Sequence, residues 1–130
     1  IIGNHYGITS LLTFYLPEAK SRVTDGPMVF CQPSETPQNQ YSFWPGYTET
    51  HQGQSALFVR DAGASRLVSD WFWKWWKGET KLMAQPLESG PAPNWLVKQF
   101  DSVTNTGLHP VLYRGQVFHT VEIFECRNLR

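Results

Sequence analysis

The chain has 130 residues, of which 41% are hydrophobic and 17% are charged. This size and composition predict a single folded domain with its own apolar core, and they exclude a disordered segment. The 11 basic and 11 acidic residues balance to a net charge of zero, which argues against a nucleic-acid partner, because such binders usually carry a basic stripe. No apolar run of about 18 residues occurs, so no predicted helix spans a bilayer.

The N-terminal part predicts a strand, a helix and a second strand. The β-branched pair Ile1-Ile2 indicates the end of a strand whose beginning lies upstream. Residues 7–16 have apolar positions at helical spacing, and Pro17 ends this predicted helix. Residues 28–31 form a short apolar run that is typical of a buried strand. The predicted buried face of the helix consists of Ile8, Leu11, Leu12, Tyr15 and Leu16.

The rest of the chain predicts further strands and one more helix. Residues 32–54 indicate a loop, and residues 55–60 a strand. Residues 67–76 predict a second helix, and residues 95–103 another strand. A β-hairpin is the last predicted element. Its arms lie at 111–113 and 117–126, and its turn has three residues, Arg114-Gly115-Gln116.

The second arm of the hairpin alternates between two faces. One face carries Val117, His119, Val121 and Ile123, and the other carries Phe118, Thr120, Glu122, Phe124 and Cys126. Together with the order of the elements, this predicts an α/β fold. We expect a mixed sheet with at least one parallel crossover, helices packed against it and a C-terminal antiparallel hairpin.

The first candidate ligand site is the loop after the first strand, where Asn4, His5 and Tyr6 lie between two glycines. Open α/β sheets bind ligands at the carboxyl ends of their strands, so these side chains could face a cleft. The glycines match neither the dinucleotide fingerprint nor the P-loop. A plain strand-to-helix turn is therefore the alternative interpretation.

The second candidate is the aromatic loop that contains Gln40, Tyr41 and Trp44. An amide beside aromatic rings suits a sugar, because aromatic faces stack on sugar rings and amides hydrogen-bond hydroxyl groups. The alternative is a loop that its aromatic residues fold back onto the sheet.

A third candidate surface lies in the predicted helix over residues 67–76. Trp73 and Trp76 do not fit its buried face, and Lys74 and Lys77 lie beside them. Trp and Lys together suit a membrane–water interface or a docking surface. The alternative is a core large enough to take up every tryptophan.

The sequence contains no motif for catalysis, a metal site or a cofactor. The four histidines lack metal-ligand spacing, no GxSxG motif occurs, and the acidic residues lie in separate segments. Cys31 and Cys126 form no CxxC motif. Either a disulfide or two free thiols is compatible with the sequence.

Several stretches together resemble the C-terminal soluble domain of bacterial membrane glycosyltransferases of the protein-mannosyltransferase and aminoarabinose-transferase type. They are the Asn-His-Tyr-Gly and Leu-Leu-Thr-Phe-Tyr-Leu-Pro motifs within residues 4–17, the strand at 28–31, the segment Asn39-Gln40-Tyr41-Ser42-Phe43-Trp44-Pro45, residues 53–59 and the closing hairpin. The resemblance fades between about residues 61 and 95. One departure is Pro17-Glu18-Ala19-Lys20, where a glycine is expected soon after the proline.

The resemblance implies that residues 1–130 are a single extracytoplasmic domain, cut from a larger protein after its last transmembrane helix. It implies a location at the periplasmic face of the bacterial inner membrane. Such enzymes transfer a sugar from a polyprenyl-phosphate donor to a protein or lipid acceptor, and their catalytic carboxylates lie in the membrane part. The implied role is non-catalytic, either in acceptor recognition or in shaping the entrance of the active site.

The implied partners are the transmembrane part of the same chain, the membrane surface and a glycan, lipid or protein acceptor. If the domain touches substrate, we expect contacts from Asn4, His5, Tyr6, Gln40, Tyr41 and Trp44, with Trp73 and Trp76 on the membrane or the helical bundle. The alternatives are a free-standing carbohydrate-binding module, an α/β hydrolase or transferase in its own right, and a purely structural domain.

Overall fold

The computed structural model describes residues 1–22, 26–34, 36–37, 39–62 and 89–130. The helix predicted over residues 67–76, with Trp73 and Trp76, lies outside these ranges. The described elements are β1 Ile2–Gly3, α1 Tyr6–Tyr15, α2 Pro17–Ser21, β2 Phe30–Cys31, a 3₁₀ helix Gln40–Phe43, α3 Tyr47–Thr50, β3 Ala56–Asp61, α4 Asn94–Gln99, β4 Phe100–Tyr113 and β5 Gln116–Leu129.

The described strands form one mixed sheet in the order β2-β1-β3-β5-β4. β1 pairs in parallel with both β2 and β3, whereas β5 pairs antiparallel with both β3 and β4. The predicted α/β fold is confirmed, including the mixed sheet, the packed helices and the C-terminal antiparallel hairpin.

One face of the sheet carries the hydrophobic core. Ile2 pairs with Phe58, and Phe58 pairs with Phe124, so these side chains form a row on one face. All three are almost completely buried. α4 covers this row with the buried Leu96 and with Trp95, whose ring meets Phe58 edge-on at 5.4 Å between centroids.

The opposite face of the sheet packs against α1. Gly3, Val59 and Ile123 form its row, and Ile8 and Thr9 of α1 are buried beside it. A Cβ atom added to Gly3 would lie 2.6 Å from Thr9 Oγ1. Glycine at this position therefore allows α1 to approach the sheet closely.

α1 confirms the predicted first helix, but its buried face is narrower than predicted. Leu11 and Tyr15 are 53% and 72% exposed, so their expected burial is wrong. Ile8 is buried, and Leu12 and Leu16 are half-buried. The helix touches the sheet mainly along its N-terminal half, which leaves its outer apolar side chains in solvent.

Two helices that the sequence did not predict begin at or directly after a proline. Pro17 follows the end of α1, as predicted, but it also begins α2, because proline is favoured at the first helical position. The strand predicted over residues 95–103 is wrong in its first half, where α4 follows Pro93 as its N-cap. A strand was predicted here because Trp95-Leu96-Val97 is a short apolar run, which is also typical of a buried strand. The predicted loop over residues 32–54 also contains the 3₁₀ helix and α3.

The β4–β5 hairpin is longer than predicted, with 14 residues in each strand. Its turn has two central residues instead of three, Arg114 and Gly115, with φ values of 50° and 79°. Two positive φ values are typical of a type I′ turn. The predicted alternation holds along the described part of β5, where Thr120, Glu122, Phe124 and Cys126 are buried and His119, Val121 and Ile123 are half-buried.

Candidate functional site

A pocket of about 320 Å³ lies at the carboxyl ends of β1 and β2. Its walls come from the loop after β1, from Cys31 and Gln32 at the end of β2, and from the loop that carries the 3₁₀ helix and the start of α3. Open α/β sheets bind ligands at this edge. The volume falls at the lower end of the range for small-molecule sites, which begins at about 300 Å³.

The pocket brings together the two loops that the sequence singled out. Asn4, His5 and Tyr6 line one side, and Tyr41 and Trp44 line another. Gln40 is exposed and does not belong to the lining. The sequence did not predict that the two loops meet, and the ligand-binding role of these side chains is still a prediction.

Hydrogen bonds fix the aromatic loop against α1. Asn39 Oδ1 accepts from Tyr41 N at 3.0 Å and caps the 3₁₀ helix. The Tyr41 hydroxyl lies 2.9 Å from Ser10 Oγ on α1. The Tyr41 ring meets the Trp44 ring edge-to-face at 5.0 Å between centroids. Trp44 is still 38% exposed, so part of its indole is open to a ligand.

Asn4 is oriented by the neighbouring strand β3. Its backbone N–H donates to Val59 O at 3.0 Å, and its Oδ1 accepts from Asp61 N at 3.2 Å. The side-chain amide is thereby held with its oxygen toward β3. No protein acceptor for Asn4 Nδ2 occurs in the described part of the chain, so this N–H₂ group can donate to a ligand.

His5 connects the pocket to Asp61 and, through Asp61, to His119. Its Nδ1 accepts from Gly7 N at 3.0 Å, which places the proton of the neutral ring on Nε2. That Nε2 lies 3.4 Å from Asp61 Oδ2, and His119 Nε2 lies 2.7 Å from Asp61 Oδ1. Asp61 therefore bridges two imidazoles, one from the end of β1 and one from β5.

Sequence reasoning missed Asp61, His119 and Gln32. Asp61 and His119 meet because Asp61 pairs with Val121, two positions from His119, in the β3–β5 ladder. Gln32 joins the lining because β2 runs parallel to β1 and ends at the same edge. The available signal for Asp61 and Gln32 was a polar residue at the end of an apolar strand.

The pocket offers neutral contacts. The described lining contains no Asp, Glu, Lys or Arg, and it presents amides, hydroxyls and aromatic rings. Both ring nitrogens of His5 are engaged, so the ring is not poised as a free general base. Among the described residues, no group of three or more His, Cys, Asp or Glu is placed to hold a metal ion.

A second polar cluster lies on the core face of the sheet around Glu122, which is 2% exposed. Arg60 donates to Oε2 through Nε at 2.9 Å and through its terminal nitrogen at 2.5 Å. Ser89 Oγ, Gly90 N and Asn105 Nδ2 donate to Oε1 at 2.6, 3.0 and 2.7 Å. Desolvation by burial raises the pKa of Glu122, but the hydrogen bonds from Ser89, Arg60 and Asn105 together hold that pKa below its usual value.

The two cysteines are free thiols in different surroundings. Cys31 is half-buried and lines the pocket, whereas Cys126 lies in the core. Burial raises the pKa of the Cys126 thiol to about 11. Of the two alternatives that the sequence left open, the structure has the unpaired thiols.

No protein-family model, curated protein or solved structure matches this chain. None of the described helices has the length and apolar character that a membrane crossing requires.

Proposed function

We propose that this domain is the non-catalytic C-terminal soluble domain of a membrane glycosyltransferase that uses a polyprenyl-phosphate sugar. In this proposal the edge pocket holds a neutral glycan unit of the acceptor. The proposed glycan site rests on one observation: Asn4, Tyr41 and Trp44 come from two loops that are far apart in the sequence, and they line one pocket. The sequence resemblance carries the proposal about the parent enzyme.

The chemistry of the lining supports a neutral sugar. Sugar rings have apolar C–H faces that stack on aromatic rings, and their hydroxyls exchange hydrogen bonds with amides. Trp44 lines the pocket and is 38% exposed, so its indole can stack on a sugar, and Asn4 Nδ2 supplies a donor. A charged sugar would find no opposite charge among the described lining residues, so its desolvation would be uncompensated there.

The pocket size supports a short ligand. About 320 Å³ suits one or two sugar rings and is too small for a long chain or for a folded protein. A domain that holds the end of an acceptor glycan would raise the concentration of the acceptor near the catalytic part of the same protein. This is how a non-catalytic domain would assist acceptor recognition.

The test is a titration of this chain with methyl mannoside, N-acetylglucosamine and a neutral disaccharide. Binding is measured by isothermal titration calorimetry and by saturation-transfer NMR. We expect weak binding of at least one neutral sugar, and about tenfold weaker binding by Trp44→Ala, because a stacking surface is lost. The matched control is Phe43→Ala, since Phe43 is the neighbouring aromatic residue, is 79% exposed and does not line the pocket.

The glycan site would be refuted if the sugars fail to bind or if the two alanine variants weaken binding equally. The pocket also fits a free-standing carbohydrate-binding module, which is the second candidate. The reading frame upstream of Ile1 separates the two. Several apolar segments of about 20 residues there indicate the membrane enzyme, and a secretion signal directly before Ile1 indicates the module.

A further inference from the structure

Two amide side chains lie beside each other where the β1–β2 ladder ends. Gly3 and Cys31 form the last registered pair of this ladder. The backbone N–H of Gln32 donates to Gly3 O at 2.8 Å, so the parallel pairing reaches this residue. Asn4 and Gln32 are the next residues on the two chains, and both line the pocket. Because neighbouring strands lie about 4.8 Å apart, one small molecule in the pocket can contact both amides.

The two amides offer different hydrogen-bonding groups. Asn4 Oδ1 accepts from Asp61 N at 3.2 Å, which leaves the amide nitrogen of Asn4 for a ligand. Gln32 is half-buried, and its side chain makes no hydrogen bond to another residue in the described part of the chain. Gln32 therefore has both a carbonyl acceptor and an N–H₂ donor for a ligand. Together the two amides supply donors and one fixed acceptor position.

Two adjacent hydroxyls of a sugar ring complement this arrangement. Each hydroxyl has one O–H donor and two acceptor lone pairs. One hydroxyl accepts from Asn4 Nδ2, and the hydroxyl on the next ring carbon donates to Gln32 Oε1. An ether or carbonyl oxygen has no donor for Gln32 Oε1, so it would use only part of the amide pair. The pair thus favours a sugar with two adjacent free hydroxyls over one in which either hydroxyl is absent.

The aromatic wall and the amide pair contact different parts of a sugar. The C–H face of the ring stacks on an aromatic side chain, whereas the hydroxyls project from the rim of the ring. Trp44 follows the 3₁₀ helix, and the amide pair follows β1 and β2. Stacking on Trp44 accepts many sugars, because most of them have such a face. Selection among sugars therefore depends on the amide pair.

We propose that Asn4 and Gln32 together select neutral sugars with two adjacent free hydroxyls, and that Gln32 is a specificity-determining residue of the pocket. This inference rests on the proposed glycan site and deepens it, since it states which sugars the site accepts. Each of the two hydroxyls makes about one hydrogen bond to the pair. Removal of either hydroxyl should therefore weaken binding about fivefold.

The experiment is calorimetric titration of this chain with methyl mannoside and with methyl N-acetylglucosaminide, each accompanied by the derivatives that lack a single hydroxyl. For a glycoside that binds, we expect two derivatives to bind about fivefold more weakly than the parent, with the missing hydroxyls on adjacent carbons. In Gln32→Leu, which keeps the approximate size of the side chain, one of the two losses should disappear. A purely structural role of Gln32 would weaken the parent and all derivatives equally.

The control variant is Gln40→Leu, because Gln40 is exposed and lies outside the described lining. It should keep the wild-type pattern. Circular dichroism and thermal melting identify a variant that fails to fold, and Gln32→Ala then replaces Gln32→Leu.

Three results would overturn the inference while the glycan site stands. They are equal binding of all derivatives, losses at two hydroxyls that are not adjacent, and both losses retained in Gln32→Leu. Absence of binding by both glycosides would also overturn it. If the neutral disaccharide fails to bind as well, the glycan site itself is refuted.

Discussion

Two carboxylates on neighbouring strands, Asp61 of β3 and Glu122 of β5, lie in opposite environments. Glu122 is on the core face, 2% exposed, and accepts hydrogen bonds from four residues. Asp61 is on the α1 face, 28% exposed, and contacts two imidazoles, of which His5 lines the pocket. The sheet pleat alone separates these environments, because adjacent positions in the ladder point to opposite sides.

The difference shows how one sheet holds a buried structural anchor and a partly exposed carboxylate beside the pocket. The donors around Glu122 come from β3, from β4 and from residues 89–90, so this carboxylate fastens three parts of the chain. Asp61 contacts the imidazoles of His5 and His119, which come from the loop after β1 and from β5, and all three side chains are partly exposed. Replacing each carboxylate by its amide is therefore the direct way to compare them.

Glu122→Gln should have the largest effect on stability. The amide keeps the shape of the side chain but removes the buried charge that the half-buried Arg60 guanidinium pairs with. We expect a loss of about 3 kcal/mol in the free energy of unfolding, measured by urea denaturation. Glu125→Gln is the matched control on the same strand, because Glu125 is 42% exposed and pairs with the exposed Arg127. The control should lose less than about 1 kcal/mol, and equal losses would contradict the anchor role.

Acid should remove the same stabilisation from the wild type. The pKa of Glu122 is lower in the folded state than its ordinary value of 4.5, so the folded state binds its proton less readily than the unfolded state does. The contribution is complete above that ordinary value and is lost as the pH falls through the lower folded-state pKa. Urea denaturation from pH 6 to pH 3 should therefore show a steeper loss in the wild type than in Glu122→Gln. Parallel curves would disprove the linkage.

Gly3→Ala tests the α1 face, on which Asp61 lies. The new Cβ would meet Thr9 Oγ1 at 2.6 Å and the Thr9 backbone nitrogen at 3.0 Å, so α1 has to move away from the sheet. Overpacking of this kind costs about 2 kcal/mol, which thermal or urea unfolding can measure. Gly46→Ala is the control, because its nearest atom would be Thr48 Oγ1 at 3.6 Å, an ordinary contact. A Gly3→Ala variant as stable as the control would show that the close approach of α1 is not required.

Asp61→Asn should have the smallest effect on stability. Its histidine partners are partly exposed, with side-chain accessibilities of 43% for His5 and 22% for His119. Solvent screens these contacts, so we expect a loss of about 1 kcal/mol in urea denaturation. The variant should also change the ¹⁵N shifts of both imidazoles in NMR spectra, because it removes their shared acceptor. A loss as large as that of Glu122→Gln would erase the distinction between the two carboxylates.

The sequence predicted those parts of the fold that local patterns determine. The alternation along β5 identified its buried residues, because a strand with one covered face must alternate. The helical spacing located α1, but it overestimated the buried face, since the pattern cannot tell how far along its length a helix touches the sheet. α4 was missed because it has only six residues, and its apolar run is as compatible with a strand as with a helix.

Five of the residues that line the candidate site could be identified from the sequence, but their arrangement could not. Asn4, His5 and Tyr6 were identified from their place after a strand, and Tyr41 and Trp44 from their chemistry. That the two loops share one pocket depends on the parallel pairing of β1 with β2 and on the Tyr41–Ser10 contact. Both are long-range contacts. The bridge from Asp61 to His119 likewise depends on ladder register, which no local motif encodes.

The most direct test of the account is an amide chemical-shift map of this chain during titration with a neutral sugar that binds. The account predicts that the perturbed amides cluster at residues 4–6, 31–34 and 39–48, and that Trp44→Ala removes these perturbations while Phe43→Ala preserves them. Perturbations centred elsewhere in the sheet, or unchanged by Trp44→Ala, would contradict the assignment of the edge pocket as the glycan site.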